Sequence, residues 1–164
     1  MEISIAIFCS TILFIAVLSA YSFLGRSLLR TGYAAQQESA SRKTLYKFSS
    51  DVSTATGVSS ASASDLVLNV AGGTVEYSYT SSTGLLTRKS IISSVTTTTT
   101  MLTGVSTLNF DYYDCNQNVS TATTAMKLID IAFTTAAGGA IGDTRAKLAI
   151  QSARVMMRNK GNLQ

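Results

Sequence analysis

The sequence predicts an α+β fold: one long N-terminal helix, half membrane-spanning and half amphipathic, packed on an antiparallel β-sheet. Three observations predict it. From Ile3 to Leu24 no residue is charged and none is Gly or Pro. From Gly25 towards Gly57, helix-forming residues continue with apolar side chains mostly in steps of three and four. After Gly57 the period becomes two, and no helical pattern returns. The chain therefore divides into a transmembrane half-helix over 1–25, an amphipathic half-helix over 26–57 and a β-sheet head over 58–164. Strands that follow one another after a single helix make the class α+β rather than α/β.

The chain opens with the run MEISIAIFCSTILFIAVLSAYSFLGRSLLR. At 1.5 Å per residue, Ile3–Leu24 makes a helix about 33 Å long, enough for a hydrocarbon core of about 30 Å. Ile3, Ile5, Ile7, Phe8, Ile12, Leu13, Phe14, Val17, Leu18, Phe23 and Leu24 form the expected span. A secretory signal peptide would open on a positive charge, have a shorter apolar core and end in a small-x-small site. Here the first charge is the negative Glu2, the run is longer, and Leu18-Ser19-Ala20 fits a cleavage site poorly. Arg26 and Arg30 follow the span, and on the positive-inside rule they would hold the rest of the chain in the cytoplasm unless a basic leader preceded Met1.

Glu2 is the unusual residue. A charge at bilayer depth costs about 2.5–3.5 kcal/mol on insertion scales and marks a function with a partner. A helix N-terminus would favour the carboxylate by only about 0.3–1 kcal/mol. Both readings stand at this level: a paired functional carboxylate, or a cap in the headgroup region.

The helix continues past the span. Leu29, Tyr33, Ala40, Leu45, Phe48 and Val52 supply an apolar stripe, with Gln36, Glu38, Arg42, Lys43, Lys47 and Asp51 between them, and Gly57 supplies a stop. The whole helix is then about 55 residues and about 80 Å long. No heptad holds for three repeats, so the stripe is expected to pack on the head rather than in a coiled coil.

In the head, Leu66, Leu68 and Val70 alternate, AGG turns the chain, and Val75, Tyr77 and Tyr79 alternate in return. Leu85–Lys89 opens another strand. Ile91–Leu102 carries five consecutive threonines, Thr96–Thr100, expected on an exposed strand. Leu108, Phe110 and Tyr112 mark the next, and Lys127–Thr135 and Arg145–Met157 the last two, joined by AAGGAIGD (Ala136–Asp143). Six or seven strands are expected, in one sheet or a pair of small sheets.

Composition excludes several kinds of chemistry. The 164 residues are 13% charged and 46% hydrophobic, with no Pro, His or Trp, so imidazole acid–base chemistry and His-ligated zinc are ruled out. The net charge of +4 is not gathered into a run, and no nucleic-acid-binding motif is present. Cys9, in the apolar run, and Cys115, in DYYDCNQN, are too far apart in character to pair. Asp111 and Asp114, near Asn116 and Asn118, offer oxygen ligands for Ca²⁺, but the spacing is not that of an EF-hand and a solvated turn explains it. AAGGAIGD lacks the Lys-Ser/Thr of a phosphate loop and reads as a hairpin connection. Asn118-Val119-Ser120 matches a glycosylation sequon. Arg154, Arg158 and Lys160 make a basic, solvated end. No cofactor and no enzymatic activity are expected.

A carboxylate, an apolar run, an amphipathic helix and a small sheet together resemble a type IV pilin-like subunit. Met1-Glu2-Ile3 matches the end of the family's mature N-terminus, with Glu2 in the place of its buried glutamate, and the resemblance continues in pattern to Val52. LTGVSTLNFDYYD (Leu102–Asp114) and SARVMMRNK (Ser152–Lys160) are similar to minor pilins and to J-type or W-type pseudopilins. The family's leader and Phe-Thr-Leu do not precede Met1 in the sequence, which implies a truncated start. The helix also lacks the proline and the head lacks the disulfide loop common in major subunits, which favours a minor one.

The resemblance implies a non-enzymatic structural subunit of a pilus or type II secretion pseudopilus. It would be processed and N-methylated by a prepilin peptidase, held in inner-membrane lipid with a periplasmic head, and assembled with other pilin or pseudopilin subunits. Glu2 would pair with the N-terminal amine of a neighbour in the filament, where low dielectric favours a paired charge over a lone one. The other class that fits is a singly anchored extracytoplasmic binding or adhesion domain that never assembles.

Overall fold

The structure, a computed structural model, describes residues 2–137 and 147–160, with side chains except at positions 2–6, 9, 30, 136–137 and 147–149. It has one long N-terminal helix packed against antiparallel β-structure, as the periodicity predicts. Helix α1 (Glu2–Thr54) is continuous for 53 residues. It ends at Thr54 and not at Gly57, because its last carbonyls find partners elsewhere in the chain. The Arg158 N–H donates to the Ser53 carbonyl (3.3 Å), and the Asn159 carboxamide donates to that of Thr54 (3.2 Å). Orphan carbonyls at a helix end need such partners, and here the far end of the chain supplies them.

Among the described residues eight strands follow, where six or seven were expected: β1 (Gly57–Ala61), β2 (Asp65–Val70), β3 (Gly73–Thr80), β4 (Leu85–Ile92), β5 (Val95–Leu102), β6 (Val105–Tyr113), β7 (Leu128–Ala137) and β8 (Lys147–Met156). They form two antiparallel sheets, ordered β1-β2-β3-β4-β5 and β6-β7-β8. The additional strand is β1, whose GVSSA buries only Val58 and so carries too little alternation to be read from sequence. The strand expected over Ile91–Leu102 is divided: Ile91 and Ile92 belong to β4, and Ser93-Ser94 turns the chain into β5. Both serines have positive φ, 50° and 66°. A two-residue hairpin turn requires that conformation, which is usually signalled by Asn-Gly or Asp-Gly, so Ser-Ser gives no warning of it.

The threonine strand lies where expected. β5 is an edge strand, and Val95–Thr100 are exposed on both faces. With Ile92 and Val95 closing the turn as a hydrogen-bonded pair, Thr97 and Thr99 bond back to β4, whereas Thr96, Thr98 and Thr100 aim their backbone groups at the open edge. Proline tests this directly, because it is tolerated on an edge strand only where no ladder bond is lost. Thr97→Pro is expected to destabilise the protein by about 1–3 kcal/mol more than Thr98→Pro, the difference being one orphaned carbonyl. Thermal melts of the two variants in detergent would measure it, and equal losses would refute the assigned register.

Gly73 is required where it stands. A Cβ there would lie 1.8 Å from the Ile91 carbonyl oxygen, a backbone atom of the adjoining strand that has nowhere to move.

The core forms where α1 crosses both sheets. Phe48, Val52 and Ala55 meet Leu66, Leu68, Val75, Tyr77 and Leu86 from the first sheet and Phe110, Ile129, Ile131 and Phe133 from the second. The Phe48 ring lies edge-on to Tyr77 (5.4 Å) and stacks on Phe110 (6.0 Å), so one side chain joins both sheets. Tyrosine hydroxyls add polar seams. Tyr112 donates to the Ser62 carbonyl at 2.6 Å, and Tyr79 donates to those of Val105 and Ser106 at 3.2 and 3.1 Å.

The packing stripe is shorter than predicted. Ala40, Leu45, Phe48 and Val52 face the head, but Leu29 and Tyr33 are exposed. The head reaches along the helix only to about Gln37, whose carboxamide donates to the Thr103 carbonyl (2.7 Å).

Candidate membrane and assembly surface

The front of α1 carries the exposed apolar surface. Ile7, Phe8, Ile12, Leu13, Phe14, Val17, Leu18, Phe23 and Leu24 are all exposed, from 51% at Leu18 to 73% at Phe23. Ile15, Tyr21 and Leu28 share that exposure, although they were not singled out in the sequence. The side chains of Glu2, Ile3 and Ile5 lie outside those described. Patches of this kind on ordinary soluble chains rarely exceed a few hundred Å², and larger ones mark a membrane or a partner. The helix is long and apolar enough to span a membrane, which is consistent with single-pass anchoring.

Its hydroxyl groups suit such surroundings. Ser10 donates to the Ile7 carbonyl (2.9 Å) and Thr11 to the Phe8 carbonyl (2.8 Å), one turn back along the helix. With those bonds made inside the helix, neither hydroxyl needs water.

The rear of α1 is keyed to the head by a buried ionic cluster. Asp51 was predicted on the polar face, but it is 7% exposed and faces the first sheet. Its Oδ2 accepts from the Tyr77 hydroxyl (2.8 Å) and from Arg88 Nε (2.6 Å). Its Oδ1 meets Lys47 Nζ at 3.3 Å, one turn back on α1. Tyr77 and Arg88 are direct cross-strand partners on β3 and β4. Burial, followed by the charge and hydrogen bond of Asp51, pushes the Tyr77 phenol far above its ordinary pKa. Burial opposes the charge of Arg88, but its hydrogen bond and attraction to Asp51 outweigh that and raise its pKa. The signal in sequence was the Lys47–Asp51 spacing of four; nothing local pointed to Arg88.

Other features singled out in the sequence have structural work. Asp114 Oδ1 accepts the backbone N–H groups of Asn116 (2.8 Å) and Asn118 (2.9 Å). The Asn118 bond leads in holding the Asp114 carboxyl below its usual range. Asp111 Oδ1 accepts from the Asn109 carboxamide (2.8 Å) instead of converging with Asp114. Among the described residues, no three metal-ligating side chains are gathered in one place.

The basic end is not simply solvated. Lys160 Nζ donates to the carbonyls of Thr123 (2.7 Å) and Met126 (2.8 Å). Burial and then the charge of Lys127 lower its pKa. Arg154 pairs with Asp130 (3.3 Å) and lies 4.5 Å above the Tyr113 ring. Cys115 is exposed and free. In AAGGAIGD, Gly138–Asp143 lie outside the described residues, between strand ends that pair as Ala137↔Lys147.

No family model matches the sequence, and no curated protein matches it either.

Proposed function

We propose that this chain is a membrane-anchored structural subunit, of the type IV minor pilin or pseudopilin kind, that assembles through its N-terminal helix. One observation carries the reading. A single unbroken helix is fastened to the head at its rear by Phe48 and Asp51, while its front offers exposed apolar side chains around its circumference from Ile7 to Leu24. A helix with no polar face suits a fully apolar environment, first lipid and then a bundle of like helices. In this reading the anchor sits in the inner membrane, the head is periplasmic, and a prepilin peptidase processes the N-terminus. The partners are other subunits of the same kind.

Glu2 separates this reading from a plain anchor. In an assembling subunit, Glu2→Ala is expected to leave the protein in the membrane fraction but to cut its recovery in cross-linked oligomers or sheared filaments at least about tenfold, the equivalent of about 1.4 kcal/mol per contact. Glu2→Asp would retain part of that recovery. A variant that assembles as well as the parent would refute the proposal in favour of a singly anchored binding domain. The intact mass of the native protein adds an independent reading, since peptidase processing leaves an N-methylated first residue.

A further inference from the structure

We propose that Asn118 is a glycosylation acceptor, modified on its carboxamide nitrogen by an oligosaccharide. The inference rests on the reading that the head lies outside the cytoplasm. Of six asparagines in the sequence, only Asn118 is followed by x-Ser/Thr with x other than Pro. The triplet lies in the long Asp114–Lys127 connection between β6 and β7, and long connections are disproportionately functional.

The loop holds this triplet in a form suited to modification. Asp114 fixes its backbone: Oδ1 accepts the N–H groups of Asn116 and Asn118, and the Asp114 N–H donates to the Asn118 carbonyl (2.9 Å). The one left-handed residue in the turn is Gln117 (φ 65°), so the turn does not need asparagine at 118 for its conformation. Any residue could supply the backbone N–H and carbonyl that Asn118 contributes. Its exposed carboxamide makes one long contact, 3.4 Å to Asp114 Oδ2, which is readily given up. Val119 is 79% exposed, with its backbone bridged to Tyr113 at the end of β6. The Ser120 hydroxyl makes only a 3.4 Å contact, with the Ala122 carbonyl, and is available for a transferase to read.

The donor would be a lipid-diphosphate-linked oligosaccharide. A bond forms between Asn118 Nδ2 and the anomeric carbon of the first sugar as that carbon's bond to phosphate oxygen breaks. The lipid diphosphate leaves with the electron pair, and the amide proton passes to a base on the transferase. Nothing is oxidised or reduced.

The test uses full-length protein from its own membranes. Intact mass is expected to exceed the polypeptide mass by a whole number of sugar residues. The increment should vanish in Asn118→Gln and in Ser120→Ala, and persist in Ser120→Thr, which keeps the hydroxyl. Sidedness is read separately in a Cys9→Ser, Asn118→Gln background, where Cys115 is the one thiol. A membrane-impermeant maleimide should label Cys115 on spheroplasts, whose outer membrane is opened and whose inner membrane is intact. Labelling without any sugar increment in the native protein would overturn the proposal and leave the topology standing. Labelling only after the spheroplasts are lysed would overturn the extracytoplasmic reading and the proposal together. An increment that survives both Asn118→Gln and Ser120→Ala would place the sugar elsewhere and also overturn it.

Discussion

Asp51→Ala is expected to destabilise the head by about 3–5 kcal/mol, the range for breaking a buried ion pair by removing one partner. The loss comes less from the attraction removed than from what stays behind. Arg88, whose side chain is 12% exposed, would keep its charge under the helix with no carboxylate at 2.6 Å. The Tyr77 hydroxyl would lose its acceptor as well. Lys47 matters much less, because its side chain is 46% exposed and water can replace Asp51. Three comparisons isolate the cause. Tyr77→Phe should cost only about 1 kcal/mol, the usual net value of one hydrogen bond. Arg88→Met alone should be strongly destabilising, because it leaves the buried carboxylate only the half-exposed Lys47 as a counter-charge. The double variant Asp51→Ala with Arg88→Met should lose much less stability than the sum of the two single losses, since neither charge is then stranded. Denaturant titrations in detergent, followed by tyrosine fluorescence because the chain has no Trp, would give the numbers. Strict additivity would refute the pairing.

Phe48→Ala is the other large effect, about 3–5 kcal/mol from lost burial and the cavity left behind. Phe48 is 0% exposed and touches an aromatic ring in each sheet, Tyr77 in the first and Phe110 in the second. Its removal should therefore loosen helix from head and sheet from sheet together. Phe48→Leu keeps most of the volume and should lose about 1.5 kcal/mol or less. The informative control is Leu18→Ala. Leu18 is 51% exposed on the front of the helix and makes no part of the head core, so the head's denaturation midpoint should not move. A Phe48→Ala loss no greater than that of Leu18→Ala would refute the central position assigned to Phe48.

Both predictions concern how α1 is held to its head, which matters for the proposed role. The apolar front of α1 and the stretch packed on the head belong to one continuous helix, so in the proposed role a displacement at the front reaches the sheets through Phe48 and Asp51. Glu2 is judged by assembly and these two residues by stability, so failure of one set of predictions leaves the other standing.

Much of this was legible from sequence because it depends on local periodicity. An uncharged run of span length, a stripe recurring at three and four, and alternation in Leu66–Val70, Val75–Tyr79 and Leu108–Tyr112 are properties of neighbouring residues. They appear as a continuous helix and as strands β2, β3 and β6. The exposed threonines were legible for the same reason, a β-branched polar run with nothing to bury. The apolar front of α1 needed no tertiary information either, because its described side chains are exposed.

The tertiary structure decided whatever depends on partners distant in sequence. Helix α1 ends at Thr54 because Arg158 and Asn159 arrive to bond its last carbonyls. Asp51 is buried because Arg88 and Tyr77 meet it across the core, and Lys160 is half-buried because Thr123 and Met126 offer carbonyls. A polar side chain's own neighbours in the chain do not say whether a matching charge will be waiting in the interior. The Ser93-Ser94 turn belongs to the same class: the pairing of β4 with β5 holds two serines at positive φ, a conformation their identity does not favour. Periodicity therefore set the anchor, the elements and their buried faces, while the pairing of distant polar groups set where the elements stop and what fastens them together.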